Sequence, residues 1–324
     1  ERHRKKSEKI LKQTGDRMIP NSFPIARYQF DFVVSEPILL PEYSGSTLRG
    51  AFGRALRKIA CMTKLEDCKG CPLYRTCPYT NIFETPAPTA HELQKFSQVP
   101  NGYIIEPPAW GERLYAEGET LTFSLVLFGR LIEQLPLIAF AFKRAFEYNV
   151  GRGKANLLDI AKIESDLTTQ QSILQNGNII EHQKTIEIPT ALDSVTQIKI
   201  DTPLRLQENG KPLRVNEMTA ERFFISLAKR LSLLSEFHSE PLNLDFGLLK
   251  TQIEQIQDNK HLKWQDWTRY SSRQDQKMKL GGVIGQWQFN NLSPELAKLL
   301  YIGQWLHCGK NATFGLGKYQ ITNL

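Results

Sequence analysis

The residues best suited to chemistry lie near the C-terminus. His307-Cys-Gly-Lys310 leads into Thr313-Phe-Gly-Leu-Gly-Lys318, so Gly309, Gly315 and Gly317 are set among Lys310 and Lys318. Glycine has no Cβ, so such a loop lets backbone N–H groups approach an oxyanion while the lysines supply charge. A phosphate is the simplest ligand for that combination; a tight helix-to-strand turn is the other reading. A related pattern, Val150-Gly-Arg-Gly-Lys154, occurs half a chain earlier, again after an apolar helix and before a strand-like run. Repetition at that interval predicts two copies of one domain in tandem. No Ser/His/Asp spacing, paired-His helix, Walker loop or dinucleotide fingerprint is present. Catalysis would rest on cations, hydroxyls and one histidine. His307, beside the glycine loop, is the best-placed base, with Tyr270 and Lys310 as its helpers.

A second constellation spans residues 267–279. Arg269, Ser271, Arg273, Lys277 and Lys279 fall at odd positions, and on one strand they would share a side. Trp267 and Tyr270 would stack on bases, as single-stranded RNA is commonly held. An exposed edge strand guarded by its charges is the alternative. A third is Cys61, Cys68, Cys71 and Cys77, spaced C-x6-C-x2-C-x5-C in a chain with five cysteines. Four thiolates of this kind suit one tetrahedral metal. Zinc is the first choice, an iron–sulfur cluster the alternative, and four unrelated thiols the simplest reading. Nothing leaves an open coordination position, so the metal would be structural. This cysteine usage points to a reducing compartment, the cytoplasm.

The elements that must position these groups can be read from periodicity. Ala26–Val34 alternates as a strand, and a helix follows from Ser44 or Ser46 to about Ala60. Leu48, Phe52, Leu56 and Ile59 share one face of that helix, with Arg49, Arg54, Arg57 and Lys58 largely away from it. Strands are expected at 103–106, 120–128 and 157–163, and a helix at 131–148. The second half reads as a strand at 197–206, a helix from Thr219, strands at 264–279 and 283–289, a helix from Pro294, and a strand at 319–322. The order β, α, β, β, α, β thus occurs twice. The fold class is α+β: two tandem ferredoxin-like (RRM-like) domains with a Cys-rich metal-binding insertion, 61–88, in the first. The expected divisions are a basic tail (1–18), a first domain (19–170), a linker (171–196) and a second domain (197–324). Of 324 residues, the first eighteen carry seven Lys/Arg against three Asp/Glu, and residues 260–324 carry nine against three. Positive charge gathered at the glycine loop favours a polyanionic partner. No run of apolar residues is long enough to span a membrane.

Several pieces together resemble one family. They are Gly45-Ser-Thr-Leu-Arg-Gly-Ala-Phe-Gly53, the cysteine cluster ending Cys77-Pro-Tyr79 with Phe83-Glu84 behind it, Thr202-Pro-Leu-Arg205, Arg269-Tyr-Ser-Ser-Arg273 and Thr313-Phe-Gly-Leu-Gly-Lys-Tyr319. The chain from about residue 25 onward resembles the CRISPR-associated repeat-cleaving endoribonucleases of the RAMP superfamily, the Cas-six type. The resemblance implies metal-independent cleavage of CRISPR repeat RNA, in which a ribose 2′-OH attacks the adjacent phosphate and leaves a 2′,3′-cyclic phosphate and a 5′-OH. It implies RNA contacts at Gly315 and Gly317, with Lys310, Lys318 and the Arg269–Lys279 row on the RNA backbone and Arg49 and Arg54 on the first helix. Other CRISPR-associated proteins or a fused domain would be partners. Many members use a histidine near the first helix; this chain has arginines there. A RAMP subunit that holds guide RNA without cutting is the alternative.

Overall fold

The computed structural model describes residues 18–88, 99–271 and 276–323. In the first half, β1 (Ile25–Glu36) is followed by α1 (Gly45–Ala60), β2 (Tyr103–Glu106), β3 (Thr120–Phe128), α2 (Leu135–Tyr148) and β4 (Lys154–Ile163). The sheet order is β2-β3-β1-β4, with a short strand, Gln170–Ser172, outside β4, and all pairings are antiparallel. Alternation along β1 sends Tyr28, Phe30 and Phe32 to one face, where α1 and α2 cover them. Phe30 lies opposite Phe123 of β3, Phe52 of α1 stacks on Phe142 of α2 at 4.6 Å, and Phe32 stacks on Phe146 at 4.1 Å.

The second half repeats the plan. β5 (Thr196–Leu204), α3 (Ala220–His238), β6 (Gln257–Gln265), β7 (Gly282–Asn290), α4 (Pro294–Leu306) and β8 (Tyr319–Ile321) form an antiparallel sheet of order β6-β7-β5-β8. The first, second, third and fourth strands of each half therefore take the same places. Local chemistry sets the helix starts: the Thr219 hydroxyl accepts the Arg222 N–H, and the Ser293 hydroxyl accepts that of Leu296 ahead of Pro294.

Two expectations change. The strand expected over 264–279 is two elements: β6 starts earlier and ends at Gln265, and a separate hairpin pairs Thr268–Ser271 with Gln276–Lys279. The stretch expected to link the halves carries a hairpin, Leu174–Gln175 with Asn178–Ile179, and a strand, Ile186–Glu187, paired with Ser22–Phe23.

The two halves share one core along α4. Every residue from Glu295 to Leu306 is buried, because α4 lies between its own sheet and the second face of the first sheet. Ile104, Val126 and Phe128 reach that face and join Leu296, Leu300 and Trp305. A helix buried on all sides requires such two-sided cover, and its Lys298 and Glu295 are paired with each other at 3.4 Å. The consequence is positional: the end of α4 and the glycine loop emerge against the end of β2. Among the described residues, no helix is long and apolar enough to cross a membrane.

Candidate nucleic-acid interface

The C-terminal loop is closed on itself and on Thr202–Arg205. The N–H of Cys308 donates to Gly317 O (3.1 Å), that of Gly317 to Pro203 O (3.0 Å), that of Lys310 to Arg205 O (2.8 Å) and that of Gly315 to Ala312 O (2.9 Å). Thr202 Oγ1 donates to Gly315 O (2.8 Å) and accepts from the Lys318 N–H (2.9 Å). Gly317 has φ +69°, and a Cβ there would run into the Cys308 carbonyl. Gly315 and Gly317 are both buried. The expected N–H cradle for a phosphate is therefore not formed, because these donors already have protein acceptors. Glycine is needed for close approach of two chain segments. The earlier copy is likewise a turn: Val150 and Gly153 exchange backbone bonds, and Lys154 pairs with Glu36 at 2.8 Å.

Behind the loop lies a buried ionic network that no local motif announces. Glu106, at the end of β2, is 3 % exposed. Its carboxylate accepts from Arg27 Nε (2.7 Å) and Nη2 (3.2 Å) and bonds His307 Nε2 (2.9 Å), and Lys318 Nζ lies 3.2 Å away. Arg27 also donates to Gln304 O (2.9 Å) and stands over the Trp305 ring at 4.6 Å. Burial opposes the charge on Glu106, yet Arg27, Lys318 and His307 together hold its carboxyl well below the usual range. His307 is fully buried, with Nδ1 3.2 Å from Leu316 O. Burial lowers its pKa, and the Glu106 hydrogen bond opposes that shift. The ring expected to serve as an accessible base thus ties the loop to the first sheet. Cys308 is fully buried as well, and burial pushes its thiol up to about 12.

The other face of the loop meets α1. Tyr43 Oη donates to Phe314 O (2.9 Å), and Gly45 is so close to that carbonyl that a Cβ would not fit. Tyr43, Trp110, Trp267 and Phe314 cluster here, with Tyr43 5.0 Å from each tryptophan. Two guanidinium groups border the cluster. Arg49 of α1 donates from Nε to Tyr103 Oη (3.0 Å) and lies over the Phe83 ring at 4.3 Å. Arg269 lies over the Phe314 ring at 5.5 Å. Burial lowers the Arg269 pKa, and the positive charge of Arg49 lowers it further. The structure thus places one arginine from each half at the border of this aromatic cluster.

The remaining expected residues distribute as follows. Arg54 is exposed on α1, Lys310 is exposed on the loop, and the Lys318 side chain is 36 % exposed. The proposed basic row is split: in the hairpin, Met278 lies opposite Arg269, whereas Lys277 and Lys279 lie opposite Tyr270 and Thr268. Directly opposed residues share a face, so Arg269 is on the face opposite to Lys277 and Lys279. Arg273 and the first seventeen residues of the tail lie outside the described residues, as do the side chains of Tyr270 and Ser271.

Cys61, Cys68, Cys71 and Cys77 are free and half-buried, and they line one cleft with Thr63, Tyr74 and Tyr79. As the side chains stand, no three His, Cys, Asp or Glu groups among the described residues are gathered as a metal shell.

Comparison with known proteins agrees with this architecture. Residues 23–186 match the AF_1859_N family, an N-terminal domain, and residues 198–319 match the CRISPR-associated endoribonuclease Cas6 family. The chain is a Cas6-type RAMP protein of CRISPR systems. No curated protein sequence matches significantly. Solved structures that share the fold include a Cas6 product complex (12 % identity, TM-score 0.56, covering 92 % of this chain and 100 % of that one). Thermus thermophilus Cas6 aligns at 13 % identity and TM-score 0.52, covering 94 % of this chain and all of that one. A partial Cas6-RT-Cas1–Cas2 complex aligns at 12 % identity and TM-score 0.57, over 94 % of this chain and 47 % of that one. As a Cas6-type protein it is placed among the ribonucleases of CRISPR-associated repeat-RNA processing. Sequence reasoning missed Glu106 and Arg27 in this Cas6 fold. Their only local signal is a charge at the end of one apolar strand and within another.

Proposed function

We propose that this Cas6-type chain cleaves CRISPR repeat RNA without a catalytic metal. The ribose 2′-OH gives up its proton as its oxygen attacks the adjacent phosphorus, the bond to the 5′-oxygen of the next nucleotide breaks and that oxygen takes up a proton, and the products are a 2′,3′-cyclic phosphate and a 5′-OH. The observation that carries this reading is that Arg269 lies over the Phe314 ring while Arg49 stands on α1, the helix whose start packs on Phe314, so both border the junction of the halves. Two like charges held near each other over aromatic rings are relieved by an anion between them, and a phosphate would be stabilised most as its charge grows in the transition state. RNA would lie across the junction of the halves, read as tandem ferredoxin-like domains of residues 19–170 and 197–324 on the strength of their common strand order. Lys310 and Tyr270 are the groups we assign to proton transfer, and Lys318 to the backbone. His307 positions the loop. Other CRISPR-associated proteins are expected partners, supported by the complex of which one part aligns with this fold.

The test is 5′-labelled repeat RNA in EDTA with product ends mapped. A cyclic phosphate is expected, and a single 2′-deoxy substitution at the cleaved position must abolish the reaction. RNA left intact under all conditions would refute it. One observation favours a second reading, a subunit that binds guide RNA without cutting: His307, the histidine beside the glycine loop, is fully buried. Tight binding with no product would select it.

A further inference from the structure

Residues between Cys61 and Pro78 form no helix or strand, and they have almost no core of their own. Met62 is 83 % exposed and Leu65 46 %. Only Cys68 and Cys77 of this stretch pack against the first core. A segment this poor in buried apolar surface needs a cross-link to hold one conformation.

The thiols are distributed as such a link would require. Cys61 is the C-cap of α1, and Cys77 is the N-cap of a short helix, Pro78–Phe83. Cys68 and Cys71 sit on one turn, with Cys71 N–H donating to Cys68 O at 3.1 Å. Cys61 Sγ already accepts the Lys64 N–H at 3.3 Å, and Lys64 adopts φ +55° in making that bond. Thr63 Oγ1 lies 3.3 Å from Cys71 Sγ, bringing that thiol to the Cys61 loop. Arg57 donates to Leu65 O and Glu66 O at 2.6 and 2.8 Å, so a cation stands in the same fold.

We propose that Cys61, Cys68, Cys71 and Cys77 bind one zinc ion as four thiolates, and that this ion fixes the platform beneath Arg49. Binding draws the four side chains together in their shared cleft, releases four thiol protons to solvent and leaves a dianionic centre beside Arg57. The platform follows from the short helix that Cys77 starts. Its Tyr79 lies under Arg57 at 5.9 Å, and its Phe83 lies under Arg49 at 4.3 Å. Phe83 packs in turn on Phe52 and Tyr103 and against Gly53, where a side chain would collide with its ring. Zinc at one end of this helix would therefore set the direction of the RNA-facing arginine at the other. That second clause rests on the proposed RNA contact of Arg49; the first does not.

The experiment takes the full chain, purified without added chelator, and measures metal by elemental analysis. About one zinc per chain is expected, released by a mercurial and absent from a Cys68→Ser/Cys71→Ser variant. To separate metal loss from misfolding of that variant, wild-type protein is also stripped with a chelator and titrated with Zn²⁺ alone, following melting temperature and repeat-RNA affinity. Stripping should lower the melting temperature and weaken RNA binding about tenfold, the scale of one lost charge-assisted contact, and Zn²⁺ should restore both. The Arg49→Ala variant should lose the RNA part of this response and keep the thermal part. Protein without metal that is unmoved by Zn²⁺, or protein containing iron and sulfide with visible absorption, overturns the zinc site. Stoichiometric zinc whose removal leaves RNA affinity unchanged overturns the platform. If wild-type protein binds no RNA, the proposed function fails, while metal content still decides the site.

Discussion

Replacing Glu106 by glutamine removes one charge and no volume from the centre of the molecule. Arg27, 7 % exposed, would face a neutral amide, and a single remaining oxygen would have to serve Arg27, His307 and Lys318. Breaking a buried pair by removing one partner costs about 3–5 kcal/mol, chiefly because the other charge is left buried. Lys318 is too exposed to add much, since exposed pairs contribute about 0–1 kcal/mol. With a urea dependence of about 3 kcal/mol per molar, the unfolding midpoint should fall by about 1 M at neutral pH with an unchanged slope. The variant should also resist acid relative to wild type, because it no longer carries a carboxylate that must remain ionised in the folded state. An unchanged urea midpoint would refute the reasoning that this network joins the two halves.

Stability of the wild type should fall as pH drops below about 6.5, the ordinary value of histidine in an unfolded chain. Burial lowers the pKa of both His307 and His238, so the unfolded state takes up protons first. The loss should steepen through the carboxylate range, where the depressed Glu106 adds to it; a flat profile by urea unfolding from pH 7 to 4 would contradict this. Gly317→Ala should cost about 1–3 kcal/mol by thermal unfolding, since φ is +69° and the new methyl meets the Cys308 carbonyl. Arg49→Ala and Arg269→Ala should each weaken repeat-RNA binding and reduce the slope of log affinity against log salt by about 0.7 if each releases one phosphate contact. A salt slope unchanged in both variants would remove the arginine pair from the interface.

Some of this was legible in the chain alone. Alternation fixed β1, and the Thr219 and Pro294 signals placed the starts of α3 and α4, because caps and periodicity act over a few residues. The apolar stripe of α1 identified its outward arginines for the same reason. The doubled element order was visible too, and so was the spacing of four cysteines.

Long-range docking decided the rest. Glu106 meets His307 across 201 positions and Arg27 across 79, separations over which no local pattern reports. The glycine loop reads equally well as an anion cradle or a tight turn until its N–H groups are seen to face Thr202–Arg205. Antiparallel pairing of Thr268–Ser271 with Gln276–Lys279 puts Arg269 on one face and Lys277 and Lys279 on the other. Sequence determined which segments would form strands and helices, since those preferences are local. Tertiary structure alone decided that α4 would be covered on two sides, that His307 would be sealed, and that an arginine from each half would border one aromatic cluster, because these follow from how one sheet packs on the other.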